Sequence, residues 1–394
     1  MNQPINRDAS VTVPRGFRAA GVAAGIKPSG ALDLALVVND GPDFAAAGVF
    51  TRNVIKAAPV LWTQEVLRHK RLRAVVLNSG GANAATGPGG FQDTHVTAER
   101  VGELVETGAI EIAACSTGLI GERLPMAAVL SGVDAAATAL DSGNEAGFAA
   151  ASAVLTTDSR AKQASATHQD GWSIGGFAKG AGMLAPNLAT MLSIITTDAV
   201  LTGDALDAAL RAAARVTFNR LDVDGGTSTN DTVLLLASGA SGVAPGTEAF
   251  SELLTAVSLD LVRQLRSDSE GATKEVDVDV RGAATEADAI AVGRTVAEDN
   301  LVKTALFGSD PNWGRIAMAL GRAAAEINPA TVSIGINGVT LFAAGTTVAD
   351  RTAVDLSGRD VTIVIDLGIG DAAATIFTTD LSHEYVEENS AYSS

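Results

Sequence analysis

Short apolar runs alternate along this chain with longer stretches in which apolar residues recur at helical spacing. Residues 74–77, 111–115 and 191–195 are short and mostly hydrophobic, and this pattern predicts buried strands. Residues 126–139 are rich in alanine and residues 250–266 are amphipathic, and both patterns predict helices. Strands and helices therefore alternate, which favours an α/β protein with mixed layers, its sheets packed under helices.

The C-terminal part of the chain contains a second set of predicted elements. Residues 285–309 predict a helix over most of their length, and residues 311–316 predict a rigid turn. Residues 361–365 and 373–379 are predicted strands. The glycine-rich residues 368–371 between them predict a β-hairpin rather than a nucleotide-binding loop.

A glycine-rich loop at residues 78–90 follows a predicted strand and precedes a predicted helix. This order is also found in dinucleotide-binding folds. The glycines do not have the G-x-G-x-x-G spacing, however, and no acidic residue follows at the expected distance. The loop therefore does not predict a nucleotide site.

The most unusual stretch of the sequence is residues 174–198. Its first half carries several glycines and one lysine, Lys179, in a predicted loop that is otherwise free of charge. Thr190 begins the strand that follows. One interpretation is a loop and a core strand with a capping threonine. The other is a threonine that becomes a new N-terminus, so that its own amine acts as base.

Composition and charge limit the kind of protein this is. The chain has 394 residues, is 47% hydrophobic and carries a formal net charge of −17, which argues against nucleic acid or an anionic membrane as partner. Cys115 is the only cysteine and the four histidines lack metal-ligand spacing, so we expect no disulfide and no metal site. Neither a secretory signal nor a membrane-spanning run is evident, so a cytoplasmic protein is expected.

Several motifs in the right order resemble one known family. Residues 179–192, K-G-A-G-M-L-A-P-N-L-A-T-M-L, are similar to the K-G-[SA]-G-M…P-[ND]-[ML]-A-T-M-L signature of the bifunctional ornithine acetyltransferases (glutamate N-acetyltransferases of arginine biosynthesis). D-P-N-W-G-R-I at residues 310–316 and T-S-T-N-D-T at residues 227–232 match as well. The chain departs from the family pattern at Gly81, Ala85 and Gly226, where any polar role of those side chains is absent.

The resemblance implies self-cleavage. Family members are cut between the alanine and the threonine of the signature, here Ala189 and Thr190. The implied fragments are 1–189 and 190–394, the second beginning with the nucleophile. Thr117 and Gly118, in S-T-G-L-I-G, match the family's oxyanion pair.

The resemblance also implies a set of substrate-binding residues. This set contains the nucleophile, a lysine for the substrate carboxylate, a glutamate for a substrate ammonium and a threonine from T-T-D. It also contains an asparagine and a hydroxyl residue in the C-terminal tail. At matching positions these are Thr156 (or its neighbour Thr157), Lys179, Thr190, Glu270, Asn389 and Ser394.

The implied reaction moves acetyl from N-acetylornithine to glutamate in two steps through acetyl-Thr190. No cofactor or metal is implied, whereas acetyl-CoA as a second donor stays open. Family members pair as two copies of each fragment. Two alternatives remain: an N-terminal-threonine amidohydrolase or aminopeptidase that uses water as acceptor, and an uncut scaffold or binding protein.

Overall fold

The computed structural model describes residues 4–183 and 191–391. The described chain divides into two compact units. The first takes the described residues up to Asn219 together with Thr227–Leu265. The second takes Arg220–Gly226 together with the described residues from Arg266 onward.

Two sheets and their helices build the first unit. Its strands are β1 Phe17–Val22, β2 Leu34–Asn39, β3 Ala45–Phe50, β4 Ala74–Ser79, β5 Ile112–Thr117, β6 Lys162–Thr167, β7 Ser173–Lys179, β8 Leu192–Thr197 and β9 Thr232–Ala237. Its helices are α1 Ala58–Val66, α2 Gly87–Leu104, α3 Met126–Thr138, α4 Asn144–Ala153, α5 Gly203–Val216 and α6 Thr247–Ser267.

The smaller sheet of this unit has the strand order β1-β2-β4-β5. Strands β2, β4 and β5 are buried at every position, as expected of apolar runs that are covered by helices. Strands β4 and β5 are parallel, and Ser79 is paired with Thr117 at their carboxyl ends. The polar residues that follow these two strands therefore meet at one edge of the sheet.

The larger sheet has the order β3-β9-β8-β7-β6. Strand β8 lies at its centre, antiparallel to β7 and parallel to β9. Leu192 of β8 is paired with Lys179 on one side and Thr232 on the other. This register places the end of β7 next to the start of β8, close in sequence to Thr190.

One sheet with helices builds the second unit. Its strands are β10 Glu275–Ala283, β11 Ser333–Ile336, β12 Val339–Ala343, β13 Thr346–Thr347, β14 Asp360–Asp366 and β15 Ala372–Thr379, in the order β13-β12-β11-β14-β10-β15. Its helices are α7 Glu286–Ala297, α8 Asn300–Phe307, α9 Trp313–Leu320 and α10 His383–Ala391. Valines and isoleucines of β10, β11 and β14 form its core with apolar residues of α7 and α9.

The predicted fold class, mixed α/β with sheets and helices in layers, is confirmed. Residues 285–309 are helical over most of their length, as predicted, but they form two helices, because the Asp299 side chain accepts the N–H groups of Leu301 and Val302 and caps α8. Two local predictions are wrong. The turn predicted at 311–316 contains the start of α9. The predicted hairpin is absent from the described chain, since β10 lies between β14 and β15.

None of the helices in the described part of the chain combines the length and apolarity needed to cross a bilayer.

Candidate active site

Thr117 and Gly118 lie where β5 ends. The Thr117 side chain is buried, and the backbone carbonyl oxygen of Thr117 accepts the N–H of Gly81 at 3.0 Å. Gly118 has a φ of +128°, and a Cβ built on it would lie 2.5 Å from the nitrogen of Gly81. Only glycine fits there, because the backbone of the loop after β4 approaches too closely for a side chain.

Buried amides fix this loop against the end of β5. Ser116 donates its hydroxyl to Asn78 Oδ1 at 2.5 Å, and Asn78 Nδ2 donates to the carbonyl of Gly81 at 3.0 Å. Asn230 Nδ2 donates to the carbonyls of Ala82 and Ser116 at 2.6 and 2.8 Å. Sequence reasoning did not assign these amides, although they lie in the N-S-G-G and S-T-N-D stretches that it matched.

Lys179 is the last residue of β7, and its side chain is only 1% exposed. The prediction that it lies in a loop is therefore wrong. Its Nζ donates to Thr156 Oγ1 at 2.7 Å and to Thr117 Oγ1 at 3.3 Å. Three residues predicted for the site, which are far apart in the sequence, are thus brought together around one buried ammonium, and the hydroxyl that meets it from T-T-D is that of Thr156.

Asp158 is a buried charged residue of the candidate site that the sequence reasoning missed. Its fully buried carboxylate accepts from Lys162 Nζ at 2.5 Å and from the N–H of Gly180 at 2.6 Å, and Lys179 Nζ lies 3.7 Å away. Burial opposes ionisation, but the charges of Lys179 and Lys162 outweigh it and hold the pKa of this carboxyl below its usual range. The available signal was the aspartate of T-T-D.

The predicted cleavage site and nucleophile, Ala189 and Thr190, lie outside the described residues. The next residue, Met191, precedes β8, and its N–H donates to Asp231 Oδ1 at 3.2 Å. Asp231 is fully buried. Sequence reasoning did not assign Asp231, which belongs to the matched T-S-T-N-D-T.

Glu270 and Asn389 lie together in the second unit. Asn389 Nδ2 donates to Glu270 Oε2 at 2.6 Å and to the carbonyl of Tyr385 at 2.9 Å. Burial raises the pKa of the nearby Glu388 carboxyl, and Glu270 and other carboxylates add to the effect. The surroundings therefore favour a cation. Ser394, the other predicted substrate-binding residue of the tail, lies outside the described residues.

Other nucleophile and metal chemistry has little support within residues 4–183 and 191–391. No group of three or more histidine, cysteine, aspartate or glutamate side chains is arranged there to hold a metal ion. Burial raises the pKa of the Cys115 thiol to about 12. A thiol with this pKa remains protonated at neutral pH and is a poor nucleophile.

The sequence is similar to known proteins over nearly its whole length. The profile of the ArgJ family matches residues 18–394. A protein of Mycobacterium tuberculosis named arginine biosynthesis bifunctional protein ArgJ is 59% identical over 393 residues, which are 98% of this chain and 97% of the relative. The protein of that name from Streptomyces coelicolor is 58% identical over 385 residues, covering 98% of this chain and 100% of the relative.

Two solved structures are also similar. One is described as ornithine acetyltransferase complexed with ornithine from Mycobacterium tuberculosis, with 63% identity, a TM-score of 0.47, and coverage of 47% of this chain and 98% of that chain. The other, arginine biosynthesis bifunctional protein ArgJ from Bacillus halodurans, has 36% identity, a TM-score of 0.48, and coverage of 50% and 98%.

The family match and the relatives confirm the resemblance that the motifs indicated, and they extend it over almost the entire sequence. The chain belongs to the ArgJ family of bifunctional arginine-biosynthesis enzymes.

Proposed function

We propose that this protein transfers an acetyl group from N2-acetylornithine to glutamate, releasing first ornithine and then N-acetylglutamate. The observation that carries the proposal is the convergence of Thr117, Thr156 and Lys179. They meet at the end of β7, which is paired with the start of β8 just after Thr190 in the sequence. A buried ammonium beside two hydroxyls is suited to bind a carboxylate and to support acyl transfer.

The first step creates the catalytic group. The hydroxyl of Thr190 attacks the carbonyl carbon of Ala189, and the acyl group moves from nitrogen to oxygen. Hydrolysis of the resulting ester leaves fragments 1–189 and 190–394 and frees the α-amine of Thr190. An α-amine has a reference pKa of about 7.7–8.0, so near neutral pH it can accept the proton of the adjacent hydroxyl.

Acetyl transfer then follows a ping-pong course. The Thr190 hydroxyl attacks the acetyl carbonyl of acetylornithine and gives its proton to the α-amine. The hydroxyl of Thr117 and the N–H of Gly118 stabilise the oxyanion. The C–N bond breaks, ornithine takes the proton and leaves, and acetyl-Thr190 remains. The amine of glutamate attacks this ester and gives a proton to the α-amine of Thr190. The C–O bond breaks, the Thr190 oxygen takes that proton back, and N-acetylglutamate departs.

Both substrates carry an α-carboxylate, which explains how one site can serve each in turn. The ammonium of Lys179 and the hydroxyl of Thr156 bind this carboxylate, and the compact point charge of a lysine suits it. Glu270, which accepts a hydrogen bond from Asn389, binds the substrate ammonium. Ser394 is the remaining substrate-binding residue. The support for Lys179, Thr156, Glu270 and Asn389 is the matching family position together with the contacts described above. For Ser394 it is the matching family position alone.

Acetyl-CoA is proposed as a second acetyl donor, because the relatives are named bifunctional. The acyl-enzyme would be the same, so only the donor differs. This chemistry needs no metal or cofactor, since Thr190 supplies both nucleophile and base. We further propose an assembly of two copies of each fragment.

The test is the mass of the purified protein and the fate of the acetyl group. We expect two fragments, the second beginning at Thr190, and conversion of acetylornithine plus glutamate into ornithine plus N-acetylglutamate. Thr190→Ala should stay whole and be inactive, because it removes both nucleophile and base precursor. Thr138→Ala, at an exposed position of α3, is the matched control and should be cut and active.

An intact wild-type chain with full activity would contradict the mechanism. Release of acetate from acetylornithine at the same rate without glutamate would instead identify a hydrolase with water as acceptor.

A further inference from the structure

The pairing of β8 with β9 at the centre of the larger sheet extends to the residue that precedes β8. Thr232 donates its N–H to the carbonyl of Met191 at 3.0 Å. In the other direction, the N–H of Met191 donates to a side-chain oxygen, Asp231 Oδ1, at 3.2 Å. The Asp231 carboxyl thus accepts the backbone N–H of Met191, the residue that directly follows Thr190 in the sequence.

Asp231 is itself held firmly. Its carbonyl oxygen accepts the N–H of Thr51 at 2.9 Å, and Thr51 donates its hydroxyl to the carbonyl of Ser228 at 2.6 Å. The side chain is 0% exposed, and its second oxygen, Oδ2, has no hydrogen-bond partner among the described residues. Leaving a buried polar atom without a partner is destabilising, which indicates that this carboxyl is retained for a purpose other than stability.

The charge state of Asp231 suits a position next to a catalytic amine. Burial raises the pKa of this carboxyl well above its usual range, against the opposing effects of the Met191 N–H, the hydroxyls of Thr51 and Ser228, and the Lys179 ammonium on β7. A neutral carboxyl anchors a chain without adding negative charge. A carboxylate there would favour the ammonium form of a nearby amine and weaken it as a base.

We infer that Asp231 is a positioning residue of the acyl-transfer site, which anchors the Met191 amide and thereby the chain end that self-cleavage creates. The inference rests on the proposed function. Once the Ala189–Thr190 bond is cut, Thr190 becomes a chain terminus whose one peptide bond is to Met191. Terminal residues fray unless they are tied down, and a displacement of about 1 Å can cost about 10²-fold in rate.

The experiment compares Asp231→Ala and Asp231→Asn with a matched control beside the other end of β8. The control is Asp198→Ala, because Asp198 is also buried and follows the other end of β8, where it accepts the N–H of Ser173 at 2.7 Å. Asp231→Ala should lower kcat for acetyl transfer about 10- to 100-fold with KM changed less than about threefold. Asp198→Ala should lower the melting temperature but keep kcat within about threefold of wild type.

Asparagine keeps an oxygen that can accept the Met191 N–H and carries no charge. Asp231→Asn should therefore recover most of the kcat lost in Asp231→Ala and keep the wild-type pH profile of kcat/KM. A kcat of Asp231→Asn more than about tenfold below that of wild type, or a shifted basic limb in its pH profile, would overturn the inference. Both readouts compare Asp231→Asn with wild type, so they remain decisive if Asp231→Ala does not fold.

Amide hydrogen exchange separates this inference from the proposed function. The Met191 amide should exchange faster in Asp231→Ala than in Asp231→Asn or Asp198→Ala, whether or not the protein transfers acetyl groups. Wild-type protein without transferase activity would refute the proposed function alone. Equal Met191 exchange in Asp231→Ala and Asp198→Ala would refute the anchor alone.

Discussion

At the scale of single residues, the buried charges around Lys179 decide what the site can bind. A lysine that is 1% exposed would lose its proton unless a partner stabilised the charge. Asp158 is that partner, and it is shared with Lys162. Two ammonium groups thus surround one carboxylate in the interior. This arrangement favours an added anion such as a substrate carboxylate.

We expect Asp158→Asn to raise KM for both acetylornithine and glutamate about tenfold or more, because the Lys179 ammonium would lose the buried carboxylate that offsets its charge and holds it in place. Steady-state kinetics measure this. Asp134→Asn, at an exposed residue paired with Arg100, is the control and should leave KM unchanged. Equal KM values in both variants would contradict the role given to Asp158.

The pH dependence of stability provides a second check on Asp158. Its pKa is depressed in the folded protein, so its stabilising effect is present above the ordinary value of 3.8 and is lost as pH falls below it. The difference in melting temperature between wild type and Asp158→Asn should therefore be constant near neutral pH and shrink below about pH 4. A difference that grows on acidification would be inconsistent with a depressed pKa.

Sequence motifs located Thr117, Thr156 and Lys179, whereas Asp158 and Asp231 were not identified. The reason is physical. A short motif shows which residue types occur together, but burial and partners depend on strands that are distant in sequence. Asp158 matters because β7 brings Lys179 to it, and Asp231 because β9 lies beside the chain before β8.

At the scale of elements, richness in alanine predicted α3 and amphipathic periodicity predicted α6, each to within a few residues. Strand β6, K-Q-A-S-A-T, was missed because its residues are mostly small or polar although they are buried. The predicted hairpin failed because β14 is paired with β10, more than 80 residues earlier in the chain. Local sequence contains no information on such a distant partner.

The turn after β5 offers a test at this scale. Gly118→Ala should lower acetyl-transfer kcat at least about tenfold, because its Cβ would collide with the Gly81 backbone and displace the proposed oxyanion donors. Gly121→Ala is the matched control: its φ is +98°, but a Cβ there meets nothing within 4 Å. It should show only the cost of left-handed backbone, about 1–2 kcal/mol, measured by thermal unfolding.

Similar activity losses in the two glycine variants would show that backbone strain alone, and not the contact with Gly81, limits the enzyme.

At the scale of the whole chain, the proposed cut does not follow the boundary between the two compact units. The larger sheet of the first unit takes β3, β6 and β7 from residues before Ala189 and β8 and β9 from residues after Thr190. Strand β8 is buried at every position and is paired on one side with β7 from the first fragment. Strand β9 is likewise paired with β3.

The fragments 1–189 and 190–394 should therefore remain together after cleavage. We expect one species by size exclusion under native conditions and two bands on a denaturing gel, because separation would break two six-residue strand pairings and expose their apolar faces. Residues 190–394 expressed alone should aggregate, since β8 and β9 would each present an unpaired hydrophobic edge. If that fragment were monomeric and folded by itself, the shared sheet would not be what holds the cut enzyme together.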